Sequence, residues 1–159
     1  MNDADFTEIR QGFSMQIQIR ELEEKDTGVL AQIEAEVFSM PWSEQDFKEL
    51  LRHSYCFYLV ALAEGRIAGC CGFTNICNEA NIDNVVVAEQ YRNLGIAQAM
   101  LEELIKRGDG MGVEAYTLEV RVSNAPAIHI YEKAGFRSEG IRPGFYEKPT
   151  EDAVIMWRR

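Results

Sequence analysis

A short turn of small and polar residues lies between a predicted strand and a predicted helix, at residues 92–97. Gly95 and Ala97 carry almost no side chain, so a ligand can approach the backbone closely there. The first amides of a helix lack internal partners and lie at the positive end of the helix dipole. The turn therefore predicts an anion site best suited to phosphate. A surface helix start that contains a glycine is the alternative interpretation.

The elements on either side of this turn follow from side-chain spacing. Three consecutive valines at residues 85–87 favour a strand, because β-branched side chains prefer an extended backbone. After the turn, apolar residues recur at the spacing of a buried helical face: Ala97, Met100, Leu101, Leu104 and Ile105. Gly108 is suited to end this helix. The sequence contains neither a Walker loop nor the dinucleotide glycine pattern.

The remaining chain alternates strands and helices. Gly69 and Gly72 indicate bends or close packing within one strand, and the charged residues 21–26 indicate a solvated turn. Three hairpin-linked strands imply an antiparallel half, and a strand–helix–strand unit implies one parallel crossover. The other predicted elements are a strand at 16–20, helices capped by Asp26, Ser43 and Asn124, and strands at 55–63, 67–76, 115–121, 136–146 and 152–157.

Composition limits the classes of protein to consider. A chain of 159 residues with a formal net charge of −10 indicates one acidic globular domain, and no basic cluster suggests nucleic acid as a partner. We expect residues 1–14 to be an N-terminal extension, a candidate for disorder, and residues 15–159 to be the domain. No segment resembles a membrane span or a signal peptide. Four cysteines without zinc-type pairing indicate reduced thiols in a cytoplasmic protein, and His53 and His129 lack metal-ligand spacing.

Two segments carry a resemblance to the GNAT acetyltransferase superfamily. Residues 92–97 resemble its Gln/Arg-x-x-Gly-x-Gly/Ala signature, and residues 118–136 resemble its downstream block, reading Leu-Glu-Val-Arg-Val-Ser-Asn-Ala-Pro-Ala-Ile-His-Ile-Tyr-Glu-Lys-Ala-Gly-Phe. The resemblance covers about residues 16–158. It implies an α/β (α+β) fold in which about six to seven strands form a single mixed, mostly antiparallel sheet. About four helices flank this sheet, and it contains one parallel strand–helix–strand unit.

Within that superfamily the chain resembles the ribosomal-protein-alanine N-acetyltransferases, the RimI-type enzymes. The resemblance lies in residues 38–43 (Phe-Ser-Met-Pro-Trp-Ser), 118–121 (Leu-Glu-Val-Arg), 142–146 (Arg-Pro-Gly-Phe-Tyr) and 151–156. It implies transfer of acetyl from acetyl-CoA to the α-amine of a ribosomal protein that begins with alanine. The implied partners are acetyl-CoA and the N-terminal peptide of a ribosomal or other protein, with no nucleic acid, membrane or metal. We expect a monomer or weak dimer.

The resemblance assigns two catalytic residues. Glu119 is implied as the general base, and strand alternation lets it face a cleft while Leu118 and Val120 face the core. Its alternative interpretation is a solvated strand carboxylate. Tyr131 is implied as the acid that protonates the leaving thiolate, and it can also be a core aromatic residue. A backbone amide at residues 85–87 is implied as the oxyanion donor, on a strand that commonly bulges in this family.

The resemblance also assigns binding residues. Asn124 can serve both as a cofactor contact and as a helix cap, and Trp42 can serve both in acceptor binding and in helix packing. The implied cofactor contacts are Val85, Val86 and Val87 along the pantetheine arm, Arg92, Asn93, Leu94, Gly95, Ile96, Ala97 and Gln98 around the pyrophosphate, and Asn124. The residues expected at the acceptor are Met40, Pro41, Trp42, Arg142 and Tyr146.

Proton chemistry favours an α-amine over a lysine as the acceptor. Only the neutral amine can attack a thioester, and reference pKa values are near ~7.8 for an α-amine and ~10.4 for lysine. Deprotonating a lysine at neutral pH therefore costs roughly 3.5 kcal/mol more. The alternatives are acetylation of a small amine or a lysine by the same machinery, and a non-catalytic CoA-binding regulatory module.

Overall fold

The computed structural model describes residues 7–11 and 15–159. The strands are β1 (Thr7–Gln11), β2 (Met15–Glu21), β3 (Cys56–Ala63), β4 (Arg66–Ile76), β5 (Glu79–Val87), β6 (Ala115–Arg121), β7 (Arg137–Tyr146) and β8 (Glu151–Arg158). The helices are α1 (Thr27–Val37), α2 (Glu44–Leu51), α3 (Ile96–Gly110) and α4 (Ala125–Lys133). Within these ranges, no helix is long and apolar enough to cross a membrane.

The strands form one sheet in the order β1-β2-β3-β4-β5-β6-β8-β7. Neighbouring strands are antiparallel except β5 and β6, which are parallel and joined through α3. The prediction of a mixed sheet with one parallel strand–helix–strand unit and four flanking helices is confirmed.

Strand β1 extends the sheet beyond the number of strands predicted. The sequence predicts that residues 1–14 are an N-terminal extension of the domain, whereas Thr7–Gln11 pairs antiparallel with β2. Backbone pairing can add such an edge strand without a strong apolar pattern, which is why the spacing did not indicate it. The rest of the predicted extension, residues 1–6 and 12–14, lies outside the described residues.

Two apolar clusters cover the sheet. The larger one packs α3 and Tyr131 of α4 against strands on both sides of the parallel pair, with Met100, Leu104, Tyr116 and Phe136 among its buried members. The smaller one packs Leu30 of α1 and other residues of α1 and α2 against β3–β5. Because both faces are covered, the strand edges between β5 and β6 become the natural place for a site.

Local capping accounts for where α2 and α4 begin. The Asp46 amide donates to Ser43 Oγ at 3.1 Å, and the Ser43 amide donates to Asp46 Oδ2 at 2.8 Å, so the predicted cap is a full capping box. At the start of α4, Asn124 Oδ1 accepts from the Ala127 amide at 3.3 Å. Both predicted caps are confirmed.

Two other local predictions are wrong. Asp26 occupies the N-cap position of α1, but its side chain does not cap the helix and does not lie in a solvated turn, because its buried carboxylate accepts two 2.8 Å hydrogen bonds from Arg20. Gly108 does not end α3, which continues to Gly110. A Cβ at Gly108 would lie 2.3 Å from Tyr116 Oη, so the lack of a side chain at Gly108 leaves room for the Tyr116 side chain.

Candidate active site

A cleft opens where β5 and β6 separate. Their parallel pairing extends only from Glu79 opposite Ala115 to Asn81 opposite Thr117. Beyond that point β5 stays paired with β4 and β6 stays paired with β8. The cleft has a volume of about 840 Å³ and is lined by the diverging strands, the segment after α1 and the loop between β7 and β8. Backbone groups on the separated strand edges are thereby offered to a ligand.

A β-bulge lies at the point of divergence. Gly72 is opposite Asn84 and Phe73 is opposite Ile82, which leaves Asp83 as the extra residue of β5. The sequence implied such a bulge from the family resemblance, near residues 85–87, and the structure has it at Asp83. The bulge shifts the alternation of side chains along β5, so that Ile82 packs in the larger apolar cluster and Val86 packs in the smaller one on the other face.

Asp83 was not predicted as a site residue. Tyr58 donates to its Oδ2 at 3.2 Å and Thr74 donates to the same oxygen at 2.7 Å. Desolvation by the cleft walls raises the pKa of Asp83, although part of the side chain stays exposed, and Glu119 raises it further. The two hydroxyl donors oppose this rise. Bulge geometry brings Asp83 to the cleft, and the strand pattern alone does not indicate it.

Glu119 lines the cleft from β6. Leu118 and Val120 are buried while Glu119 is half-buried, as strand alternation predicts. Arg142 Nη2 lies 3.5 Å from Glu119 Oε1. The guanidinium that was predicted for acceptor binding thus lies beside the predicted base, and it is itself largely exposed. The pairing balances the charge of this carboxylate.

Tyr131 lines the same cleft from α4, with only 9% of its surface exposed. Its ring packs edge-on against Phe136, with the ring centroids 6.0 Å apart. Burial raises its pKa, and Tyr146 and Cys71 add to the rise. The phenol is therefore protonated at neutral pH and can act as a donor. It is also a core residue, so the two interpretations of its role coexist.

The loop between β7 and β8 is held at the cleft by Arg121, which sequence reasoning did not select. Arg121 donates to the carbonyl oxygens of Pro149 and Glu147, each at 3.0 Å, and to Glu151 Oε1 at 3.2 Å. Its guanidinium carbon lies 4.4 Å from the centre of the Tyr146 ring. Arg121 therefore positions Tyr146, a predicted acceptor residue, at the edge of the cleft.

Burial raises the pKa of Tyr146, as does the nearby Glu119, while Arg121 opposes the rise.

On the opposite side of the cleft, Met40 is exposed and Trp42 is half-buried. The Trp42 ring packs edge-on against Phe47 at 5.4 Å between centroids. Trp42 therefore combines helix packing with a position at the cleft. Pro41 lies between them and is not among the described residues that line the cleft.

A buried polar pair, Glu34 and Asn84, completes the cleft wall between α1 and β5 and was also not predicted. The side-chain amide of Asn84 donates to Glu34 Oε1, and both residues border the cleft. Burial raises the pKa of Glu34 to about 7, and the hydrogen bond from Asn84 opposes the rise. A glutamate on a helix gives no sequence signal of this position.

The predicted cofactor residues run from the cleft to the start of α3. Val85 lines the cleft, Val86 is a core residue with 2% exposure, and Val87 is half-buried. Asn124 also lines the cleft while it caps α4. The others lie outside the cleft itself, in the turn that follows β5 and in the first turn of α3: Arg92, Asn93, Leu94, Gly95, Ile96, Ala97 and Gln98.

The turn itself has the features of an anion site. Asn93 and Gly95 have positive φ angles of 63° and 76°, which curl the backbone before α3 begins. Gly95 supplies no capping side chain, and the first turn of α3 carries no acidic residue. The Ala99 amide donates to the Gly95 carbonyl at 3.0 Å, so the preceding amides of the helix are the ones offered to an anion. Arg92 adds positive charge, with Nε 3.5 Å from the Val87 carbonyl oxygen.

Comparisons with known proteins agree with this geometry. The model of the acetyltransferase (GNAT) family matches residues 19–136. The [Ribosomal protein bS18]-alanine N-acetyltransferase of Escherichia coli (strain K12) is 35% identical over 142 residues, covering 87% of this chain and 94% of that protein.

Solved structures show the same fold. The ribosomal-protein-S18-alanine N-acetyltransferase from Escherichia coli superimposes with a TM-score of 0.83 at 33% identity, covering 89% of this chain and 92% of that one. Arabidopsis thaliana NAA60, solved in complex with acetyl-CoA, superimposes with a TM-score of 0.80 at 22% identity, covering 89% and 97%. The second likeness supports the fold alone.

Proposed function

Because this chain belongs to the acetyltransferase (GNAT) family, we propose that it transfers acetyl from acetyl-CoA to the N-terminal α-amine of a ribosomal protein that begins with alanine. The observation that carries this proposal is the placement of Glu119 and Tyr131 in one cleft between the diverging strands. The substrate follows from the name of the Escherichia coli relative.

The described residues fit acetyl-CoA. The uncapped amides at the start of α3, with Arg92 beside them, would hold the pyrophosphate. The separated edge of β5 at residues 85–87 would hydrogen-bond the pantetheine arm, which brings the thioester to the cleft. Asn124 can donate from its side-chain amide while its oxygen caps α4.

Glu119 would remove one proton from the α-ammonium, directly or through a water molecule, so that the nitrogen lone pair can attack the thioester carbonyl. A backbone amide of residues 85–87 would stabilise the oxyanion that forms. Tyr131 would give its proton to the sulfur as the carbon–sulfur bond breaks, the second proton lost by the nitrogen would restore the phenol, and Glu119 would release the first proton to solvent. The acetyl group passes directly between the substrates, because neither Cys70 nor Cys71 has a described base partner and burial raises the pKa of both thiols.

The test is acetyl transfer to two short peptides. One begins with free alanine followed by an N-terminal ribosomal sequence, and the other has a blocked N-terminus and one internal lysine. We expect acetylation of the free alanine and little of the lysine, because the lysine is harder to deprotonate. Acetylation of the lysine peptide alone would reassign the substrate. Binding of acetyl-CoA without transfer to either peptide would favour a small-amine acceptor or a regulatory module.

A further inference from the structure

The buried pair of Glu34 and Asn84 has no part in the reaction as proposed. Only 1% of Glu34 is exposed, and its Oε2 has no hydrogen-bond partner among the described residues. Burying a carboxyl group without a cation beside it costs free energy. Because Glu34 and Asn84 border the cleft rather than the centre of the core, this cost is incurred at the place where a substrate binds.

A carboxylate beside an amide side chain fixes the orientation of that amide. Ionised Glu34 can only accept hydrogen bonds, so the NH2 group of Asn84 must face it. The other end of the amide, Oδ1, is then turned away from Glu34. Asn84 is 9% exposed at the cleft wall, directly after the bulge at Asp83. The pair therefore leaves a fixed hydrogen-bond acceptor beside the point where β5 and β6 diverge.

We propose that Asn84 is a further acceptor-binding residue, whose Oδ1 accepts a hydrogen bond from the attacking amine, and that Glu34 is the positioning residue that orients it. A neutral amine that aims its lone pair at a thioester directs its N–H groups away from it, so it needs acceptors on the cleft walls. Glu119 supplies one from β6 and Asn84 supplies one from β5. The proposal rests on the proposed function for the identity of the amine.

The groups around Glu34 make this orientation sensitive to pH. Asn84 does not titrate. The titratable groups of this region are Cys70 of β4, which interacts electrostatically with Glu34, Asp83 of β5 with its partner Tyr58 of β3, and Glu119 of β6. Within the described ranges, no lysine or arginine forms an ion pair with Glu34. With a pKa raised by burial to about 7, Glu34 takes up a proton close to neutral pH. The protonated acid can donate to Asn84 Oδ1, which frees the amide to turn its NH2 group towards the cleft and weakens amine binding.

The experiment measures KM for the amine and for acetyl-CoA between pH 6 and pH 8.5 in Asn84→Ala, Glu34→Gln and the wild type. The amine is whichever of the alanine peptide, the lysine peptide and spermidine the wild type acetylates best. Glu103→Gln is the matched control, because Glu103 is another buried acid but is paired with Arg107 on α3, away from the cleft. Circular dichroism establishes that each variant is folded.

For Asn84→Ala we expect KM for the amine to rise about tenfold with KM for acetyl-CoA unchanged. Glu34→Gln keeps the shape of the pair, but Gln can donate as well as accept. We therefore expect a rise of about threefold at pH 8, on the scale of a partly lost hydrogen bond. Below pH 7 the amine KM of Glu34→Gln should rise less steeply than that of the wild type, and the rise that remains comes from protonation of the amine itself. Glu103→Gln should match the wild type.

An amine KM within twofold of the wild type for Asn84→Ala would overturn the role of Asn84. An unchanged pH profile for Glu34→Gln would overturn the role of Glu34, and Glu34→Gln decides the proposal if Asn84→Ala does not fold. A wild type that prefers the lysine peptide or spermidine would overturn the proposed function instead, because the KM comparison is made with the preferred amine in either case.

Discussion

The two strands that border the cleft hold their acidic groups in different electrostatic settings. On β6, Glu119 lies 3.5 Å from the guanidinium of Arg142. On the β5 side, the described donors to Asp83 and to Glu34 of α1 are neutral hydroxyl and amide groups, and desolvation raises the pKa of both carboxyl groups. Arg142 sets an opposite charge beside Glu119, whereas neutral donors only partly offset the desolvation of Asp83 and Glu34. The β6 wall, Glu119 with Arg142, therefore has a charged partner, and the β5 wall, Asp83 with Glu34 and Asn84, suits the orientation of neutral groups.

The largest effect should come from the β6 wall. In Glu119→Gln we expect kcat to fall by about 10²–10³, because the general base is lost, with affinity for acetyl-CoA within about twofold of the wild type. Steady-state kinetics with the preferred acceptor, and calorimetry with the cofactor, measure the two quantities.

The control for that variant is Glu139→Gln on β7. Glu139 is exposed, pairs with Arg159 and lies outside the residues that line the cleft. We expect its activity to match the wild type. If Glu119→Gln lost turnover and cofactor affinity to the same extent, Glu119 would have a structural role and would not be the general base.

The next effect concerns the neutral donors of the β5 wall. A Cβ at Gly72 would lie 2.2 Å from the ring of Tyr58, whose hydroxyl donates to Asp83. We expect Gly72→Ala to lower the free energy of unfolding by about 1–3 kcal/mol, because the buried ring must move. Chemical denaturation measures this change. Gly140→Ala on β7 is the control, because no heavy atom lies within 4 Å of a Cβ there; an equal loss in both variants would show that Tyr58 is not the cause.

The difference between the walls also explains how far the sequence predicts the site. Glu119 and Tyr131 lie in one motif, and alternation along a regular strand is enough to aim Glu119 at a cleft. The fold follows from the same local patterns, because the order of strands and helices limits the topology strongly. The family resemblance selected these two residues, because strand alternation alone leaves a solvated carboxylate as an equally good interpretation of Glu119.

The β5 wall could not be predicted in this way. Asp83 reaches the cleft through a bulge, and bulges depend on the register with a neighbouring strand. Glu34 and Asn84 are 50 positions apart and meet only when α1 packs on the sheet. The buried pairing of Asp26 with Arg20 was missed for a similar reason, since a charged residue in a charged segment indicates solvent. Tertiary packing decided each of these cases.

The smallest expected effect is on the pH dependence of the free energy of unfolding, and it arises from Glu34 at the β5 wall. The pKa of Glu34 is about 7 in the folded protein, above its ordinary value of 4.5. A raised pKa means that folding favours the protonated form, so the stability it contributes is present below pH 4.5 and is lost as pH rises towards 7. Glu34→Gln never ionises, and it should become more stable than the wild type by about 2 kcal/mol as pH rises from 5 to 8.

Urea denaturation at pH 5, 6, 7 and 8 measures this difference, with Glu103→Gln as the matched control. Glu103 is paired with Arg107, so its replacement should give no gain that grows with pH. A constant offset between Glu34→Gln and the wild type across this range would contradict the assignment. A gain in stability combined with weaker amine binding would mean that Glu34 is kept at a cost to folding. Glu119 need carry no such cost, because Arg142 balances its charge.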